Sequence, residues 1–515
     1  MNQSSKFSTL LADIPSSIVV FLVALPLCLG IALGSGAPLF SGIIAGIAGG
    51  IVVGLLSGSQ LSVSGPAAGL TVIVAAAISS LPTYEVFLLS VVLAGALQCV
   101  FGAIKAGVIG DYIPSSVIKG MLAAIGLILI FKQLPHLVGF DADFEGDETF
   151  LQPDGNNTFS ELANAFGFLT PGAVLIGAMA LAIQFIWDRD IIKKIKPLAA
   201  VPAPLIVVAL GTAMAWAFRQ HYPALAIDAA HYVKLPVSDS LKSFAGFFTF
   251  PDFSAIANKE MLIAAFTIAV VASLESLLSV EAADKLDTYK RVTPGNRELM
   301  AQGAGNMVSG MLGGLPVTAV IVRTAANINA GAKSKMSTII HGCLLLICVY
   351  AIPGWLNKIP LSALAGILIF AGFKLTKPAL FASLFKKGWN QFLPFVITIA
   401  AILFTDLLIG ILIGMMAALF FMIKSSYNTS VLLVQNENNF LLRFRKDVSY
   451  LNKPLVKSKL EGVPNNSALL IDATRADFID SDIVEVVNDF VEHAGLKNIR
   501  VEFKTTPEGK TKFEN

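Results

Sequence analysis

Charge is scarce in this chain. Of its 515 residues only 14% are charged, and 37 basic against 35 acidic residues leave a formal net charge of +2. So even a balance excludes binding to nucleic acid through an overall attraction for phosphate. With 55% apolar residues and a mean hydropathy of +0.73, a water-soluble fold would expose more apolar surface than water tolerates. Cysteine is sparse as well. Cys28, Cys99, Cys343 and Cys348 all lie within apolar runs without metal-finger spacing, and they read as packing residues. The histidines, His136, His221, His231, His341 and His493, are scattered without metal or triad spacing, and nothing looks catalytic. No Walker-type glycine loop occurs, which argues against ATP-driven pumping. The N-terminal MNQSSKFSTLLADIP carries one lysine and no small-residue cleavage site, so no signal peptide is expected and the first span serves as the insertion signal.

What the chain has is apolar length. Runs such as IPSSIVVFLVALPLCLGIALG and MLIAAFTIAVVASLESLLSV reach the roughly 20 residues that one crossing of the hydrocarbon needs. Apolar segments fall near 13–33, 39–57, 66–80, 85–105, 114–133, 170–187 and 199–218, then near 260–283, 297–312, 318–331, 337–353, 360–373, 391–407 and 409–424. That is seven followed by seven. The third and the tenth, each third in its own set, are too short for a full crossing and follow breaks at Gly65-Pro66 and Leu315-Pro316. An odd number of spans per half forces inverted repeats. The expected fold over 1–425 is therefore an α-helical polytopic membrane domain of about 14 transmembrane segments, arranged as 7+7 inverted repeats with two half-helices.

Basic loops favour the cytoplasmic side. Arg189, Lys193, Lys194 and Lys196 follow the sixth segment, Lys285, Lys290, Arg291 and Arg297 the eighth, and Lys374, Lys377, Lys386 and Lys387 the twelfth. All three links fall on one side of a fourteen-span chain. Both termini are then expected to be cytoplasmic, with the acidic DADFEGDE from Asp141 outside.

After about Lys424 the apolar runs become too short for a membrane. SVLLVQNE, NFLLRFRK, SALLIDA and NIRVEFK alternate like strands, and DSDIVEVVNDFVEHAG is an amphipathic helix opened by DSD and closed by Gly495. Residues 426–515 therefore read as a small cytoplasmic α/β domain.

Several stretches, SGPAAGLT, ESLLSVEAADKLD, NRELMAQGAGNMVSGMLGGLP and VRTAANINAGAKSKMS, look like the corresponding stretches of bacterial SulP-type inorganic anion transporters. The likeness runs along nearly the whole chain. It implies a seven-plus-seven membrane domain carrying a cytoplasmic STAS domain, and FIDSD at Phe478–Asp482 resembles the strand-to-helix turn of STAS folds. The tail is short for such a domain. The resemblance also implies a homodimer and the bacterial plasma (inner) membrane.

The candidate site can be argued from the residues themselves. If Pro66 and Pro316 each open a half-helix near the bilayer midplane, unsatisfied N–H groups and two positive dipole ends converge on one cavity, which favours an anion. Small residues Gly65, Ala67, Ala68 and Gly69 with Thr71 on one side, and Thr318, Ala319 and Val320 on the other, let an oxyanion approach backbone closely. The plainer reading of the same residues is tight helix packing. Arg323 lies just inside the second half-helix, where an uncompensated cation costs about 2.5–3.5 kcal/mol. Val322-Arg323-Thr324 matches the place where the family puts positive potential beside the anion, whereas the plainer reading has Arg323 snorkelling or bonded to a carbonyl.

Glu275 lies midway along its span and reads as the one carboxylate plainly inside a span. With Ser279 one turn on, it is the candidate for the coupling ion, Na⁺ or H⁺; its plainer reading is a structural carboxylate. No other cofactor or metal is expected. The first span, with ALPLCLGIALG, resembles the family's proline-containing helix beside the anion, at Pro26. Many relatives follow that proline with a polar residue, and here Leu27 stands instead.

The function expected is a secondary active transporter of a small inorganic oxyanion, bicarbonate or sulfate, coupled to Na⁺ or H⁺ and working by alternating access. A nucleobase–cation symporter of the same architecture is the alternative within transport. A passive anion channel, or an anion sensor signalling through the tail, is the alternative outside it. Ser481 stands near a serine that phosphorylated STAS proteins carry, but capping of the following helix by Asp480 or Ser481 is the favoured reading.

Overall fold

In a bilayer no water satisfies the backbone, so an apolar span bonds to itself as a helix. The computed structural model of the chain describes residues 3–141, 150, 157–189, 192, 201–237 and 241–505. Lys193, Lys194 and Lys196 and most of the acidic DADFEGDE stretch lie outside the described residues. Two compact units are found, Met1–Met415 and Met416–Asn515.

The first unit is almost wholly helical. It opens with α1 (Gln3–Gly34) and α2 (Leu39–Ala48), the latter running on through a π-helical turn at Gly49–Val53. A short strand, β1 (Ser64–Pro66), leads into α3 (Thr71–Ser80). Then come α4 (Tyr84–Ala103), α5 (Ser115–Val138), α6 (Thr158–Ala165), α7 (Pro171–Trp187) and α8 (Ala203–His221). The second half has α9 (Lys259–Leu286), α10 (Gly295–Leu312), strand β2 (Val317–Ala319) and α11 (Ile321–Asn329). It continues with α12 (Met336–Ala351), α13 (Leu361–Leu375), α14 (Trp389–Phe404) and the start of α15 (Leu407–Ser430), whose residues from Met416 on belong to the second unit. Among the described residues, eight helices are long and apolar enough to cross a membrane, and Ala68–Ser80, Pro171–Trp187, Met336–Ala351 and Trp389–Phe404 are shorter apolar helices. The chain is a multi-pass membrane protein.

Two features position the candidate site. Helices α4 and α10 touch backbone to backbone: a Cβ on Gly95 would meet the Gly303 carbonyl oxygen at 2.5 Å, and one on Gly303 the Gly95 carbonyl oxygen at 2.5 Å. Only glycine permits that approach, and lipid offers no hydrophobic drive to replace it. The same α10 carries Glu298, Gln302, Asn306 and Ser309 at spacings of four, four and three, hence along one face. All four are fully buried.

The second unit is a four-stranded sheet in the order β3 (Val431–Asn436), β4 (Asn439–Phe444), β5 (Ala468–Asp472), β6 (Arg500–Lys504). The β3–β4 pair is antiparallel across a tight turn, and the β4–β5 and β5–β6 pairs are parallel. Parallel neighbours need a crossover, supplied by α16 (Lys453–Glu461) and α17 (Ser481–Ala494). Phe440, Leu442, Leu469 and Ile471 pack with Val456, Ile483 and Val487 of these helices in one core. Asp480 caps α17 by accepting from the Asp482 amide at 3.1 Å.

Candidate functional site

The two interrupted segments meet as strands. β1 and β2 pair antiparallel, with Ser64 opposite Ala319, Gly65 opposite Thr318 and Pro66 opposite Val317. The prolines therefore do not open the half-helices. Pro66 ends β1 and Pro316 precedes β2, while the helices begin at Thr71, after a short 3-10 turn at Ala68–Leu70, and at Ile321. Proline suits the margins of a two-stranded ribbon because it removes a donor that has no ladder partner there, and its fixed φ leaves the start of each helix to the small residues that follow.

A buried ribbon must have its backbone satisfied by protein, and α10 does much of this. Asn306 receives the Val317 amide on Oδ1 at 2.5 Å and donates Nδ2 to the Val317 carbonyl at 2.9 Å and to Gln98 Oε1 at 2.6 Å. Gln302 Nε2 donates to Ser64 Oγ at 2.8 Å and to Glu298 Oε1 at 2.8 Å, and Ser57 Oγ also donates to Glu298. Ser309 Oγ donates to the Leu315 carbonyl at 2.6 Å. The second half-helix supports the first segment too: Thr324 Oγ1 accepts from the Val63 amide at 3.0 Å, and Asn327 Nδ2 donates to the Leu61 carbonyl at 2.9 Å.

Arg323 stands in the middle of this scaffold. It is 0% exposed, and its Nη2 donates to the Pro66 carbonyl at 3.2 Å. Its Nε and Nη1 are buried without a hydrogen-bond partner. Gly65 makes room for it, because a Cβ there would lie 2.1 Å from Nη1. Thr71, at the start of α3, is buried with Oγ1 unpartnered, and Thr318 Oγ1 reaches only its neighbour's carbonyl, Ala319, at 3.3 Å. Ala67, Ala319 and Val322 are buried; Ala68 and Val320 are half-buried. The Ala319 amide donates to Ser276 Oγ on α9 at 3.2 Å. Pro26 and Leu27 are buried in α1, and the next residue, Cys28, lies beside the Arg323 guanidinium. The structure thus gathers Gly65, Pro66, Thr318 and Arg323 at one crossing. A guanidinium whose Nε and Nη1 are buried beside the Cys28 thiol, with no oxygen acceptor among the described residues, has donors of the kind that an oxyanion accepts from.

Glu275 is buried on α9 beside the turn into α3: a Cβ on Gly69 would meet Glu275 Oε1 at 3.0 Å. A small cavity of about 30 Å³ adjoins it, lined by Gly69, Glu275 and Leu278 and, from the α14–α15 break, by Asp406, Leu407, Leu408 and Ile411. That is room for about one water or one dehydrated cation. Ser279 is buried one turn beyond Glu275.

Sequence reasoning missed several of these residues. Glu275 is not alone as a buried carboxylate in an apolar segment, since Glu298 is 0% exposed; the four-residue spacing of Glu298, Gln302 and Asn306 was the available signal. Asp406 was passed over because it sits at a helix break, where its Oδ1 caps the Ile409 amide at 2.8 Å. The scattered histidines are partly brought together: His136 and His231 both bond Asp141 through Nδ1. Bonding to Asp141 raises the His231 pKa. Burial opposes ionisation of Asp141, yet its two imidazole partners hold its pKa below the usual carboxylate range.

Comparison with known proteins gives a consistent picture. The model of the sulfate permease family matches residues 10–401. The bicarbonate transporter BicA of Picosynechococcus is 27% identical over 382 residues, which is 71% of this chain; the chain spans 62% of that relative's length. Among solved structures, the transmembrane domain of a cyanobacterial bicarbonate transporter BicA superimposes with a TM-score of 0.54 at 24% identity, covering 79% of this chain and 96% of that one. SLC26A9 superimposes with a TM-score of 0.65 at 16% identity, covering 96% and 84%. At these identities the structural likenesses concern the fold.

Proposed function

The chain belongs to the sulfate permease family, and on that premise we propose that it is a secondary active transporter of a small inorganic oxyanion, bicarbonate or sulfate, coupled to Na⁺ or H⁺. The observation that carries this reading is the fully buried Arg323, with Nε and Nη1 unpartnered beside the β1–β2 crossing. Such a cation is costly at membrane depth until an anion joins it. Thr71, Thr318 and the glycine-made space at Gly65 supply further donors and close access. The family name and the name of the bicarbonate-transporting relative support the same substrate class. A neutral nucleobase would leave the Arg323 charge uncompensated.

Coupling rests on Glu275. The cavity beside it offers hard oxygen donors from Glu275 and Asp406, the ligand type that Na⁺ prefers, and either carboxylate can take a proton. Residues 1–425 form the transport domain, crossing the membrane fourteen times as two inverted sets of seven, with both termini in the cytoplasm of a bacterial cell. Residues 426–515 form a short STAS-like domain, and two copies associate. Alternating access follows if the helices bearing the crossing, α1 to α4 and α9 to α12, move as one body against the rest.

The test is initial uptake of labelled bicarbonate and of labelled sulfate into liposomes holding the purified protein, with and without an inward Na⁺ gradient at constant pH. Uptake of one anion that rises with Na⁺ names the substrate and the coupling ion. Uptake indifferent to Na⁺ moves the reading to proton coupling or a channel, and no uptake of either anion overturns it.

A further inference from the structure

A cavity of about 310 Å³ opens beside the C-terminal end of α11, away from the strand crossing. It falls in the size range of small-molecule sites. Its walls are mostly apolar, with Pro15 and Val19 of α1, Trp187 of α7, Val201 ahead of α8, and Ile367 and Phe370 of α13.

Among the described residues that line this room, one polar side chain is buried with a donor unmet. Gln184, on α7, lines the cavity, is 4% exposed, and its Nε2 is buried with no hydrogen-bond acceptor. A buried amide donor left unmet costs stability, so a ligand bearing an acceptor would recover it. Asp188, one turn after Gln184, is already matched: Lys374 Nζ donates to Asp188 Oδ1 at 3.1 Å and lies over the Phe370 ring, 4.9 Å from its centroid. That pair is neutral as a unit. Among the described residues, the positive groups nearby are Arg323, one turn before the cavity-lining Ala326, Arg189 beside Asp188, and the N-terminal end of the nineteen-residue α8, set against the C-terminal ends of α7 and α11.

An inorganic oxyanion would lose hydration against these mostly apolar walls, with the amides of Gln184 and Asn329 to replace it. A carboxylate carrying an apolar body matches both parts: the body covers the wall, and the charged end accepts from Gln184 Nε2. We propose that this cavity binds an apolar-bodied monocarboxylate, an aromatic or short-chain organic acid anion, oriented by Gln184. Such an occupant touches α1 and α11, which build the crossing, and α7, α8 and α13, which do not. It would hold these two groups of helices together and so inhibit transport without competing for the Arg323 site.

The probe is built in, because Trp187 lines the cavity and the other tryptophans, Trp216, Trp355 and Trp389, can be replaced by Phe. The full chain with Trp187 alone is titrated in detergent with benzoate, with benzyl alcohol and with sulfate at constant ionic strength. Benzoate should give a saturable change in Trp187 emission. Benzyl alcohol, and benzoate on the Gln184→Leu and near-isosteric Gln184→Glu variants, should bind about fivefold more weakly or worse, while Thr318→Val binds benzoate like the parent. The proposal is overturned by the absence of a saturable response, by equal binding of benzoate and benzyl alcohol, by displacement of benzoate with sulfate, or by unchanged binding to Gln184→Glu. The binding measurement needs no transport, so a chain that moves neither bicarbonate nor sulfate would sink the functional reading and leave this result standing.

Discussion

The Thr324 hydroxyl on α11 accepts the Val63 amide proton at 3.0 Å, so the second half-helix holds the backbone that leads into the first. Such cross-support is what allows non-helical chain at membrane depth. Thr324→Val keeps the shape and removes the acceptor, orphaning a buried amide at a cost of about 1–3 kcal/mol. Thermal unfolding in detergent should show a lower Tm for this variant.

Asn306 satisfies more of the crossing than any one residue of the half-helices described above, since it bonds both the amide and the carbonyl of Val317 as well as Gln98. Asn306→Leu should therefore be more destabilising than Thr324→Val, with about 1–3 kcal/mol lost for each group orphaned. Equal melting temperatures for the two variants would show that the α10 face does not carry the ribbon.

Gly65 is the place where a single methyl group meets the Arg323 guanidinium, at 2.1 Å from Nη1. Gly65→Ala should displace the guanidinium and cut anion uptake by about tenfold or more, a barrier change of roughly 1.4 kcal/mol. Circular dichroism of the same sample should show unchanged helix content.

Glu275 and Asp406 border one cavity of about 30 Å³. Glu275→Gln should abolish the dependence of uptake on a cation gradient, and Asp406→Asn should weaken it while leaving uncoupled anion exchange measurable. Gradient dependence that survives in Glu275→Gln, read from uptake at fixed membrane potential, removes Glu275 from the coupling role.

The His136–Asp141–His231 cluster ties the end of α5 to the segment after α8. Bonding to Asp141 raises the His231 pKa above its unfolded value of about 6.5, so its contribution is complete below that pH and is lost as pH rises through the raised folded value. Asp141, held below its ordinary value of about 3.9, contributes above that pH and loses its contribution as pH falls through the lowered folded value. The cluster should therefore be tightest between about pH 4 and 6.5. Proteolysis near Tyr232 should accelerate on alkalinisation in the parent, and in Asp141→Asn it should be fast throughout with little pH dependence.

Hydropathy and alternation made much of this fold legible. The four strands of the C-terminal unit lie where the alternation places them, because a half-buried strand must show period two. The two half-helix regions were found because small residues and prolines interrupt apolar runs. The pairing of their leading residues as strands was not legible, since Ser64–Pro66 and Val317–Ala319 pair across 251–255 positions of sequence and are held by α10 side chains that no local pattern connects to them. Glu298 escaped for a related reason: at the start of a glycine-rich helix it looks interfacial, and only its contacts with Ser57 and Gln302 show it buried.

The central claim is that an oxyanion binds at Arg323 on its way across the membrane. Initial uptake of labelled bicarbonate and sulfate should be compared in liposomes carrying equal amounts of folded wild-type protein and Arg323→Gln. Uptake of one of these anions by the wild type, reduced by about tenfold or more in the variant, is the predicted result. Uptake by Arg323→Gln at the wild-type rate and with the same KM would contradict it.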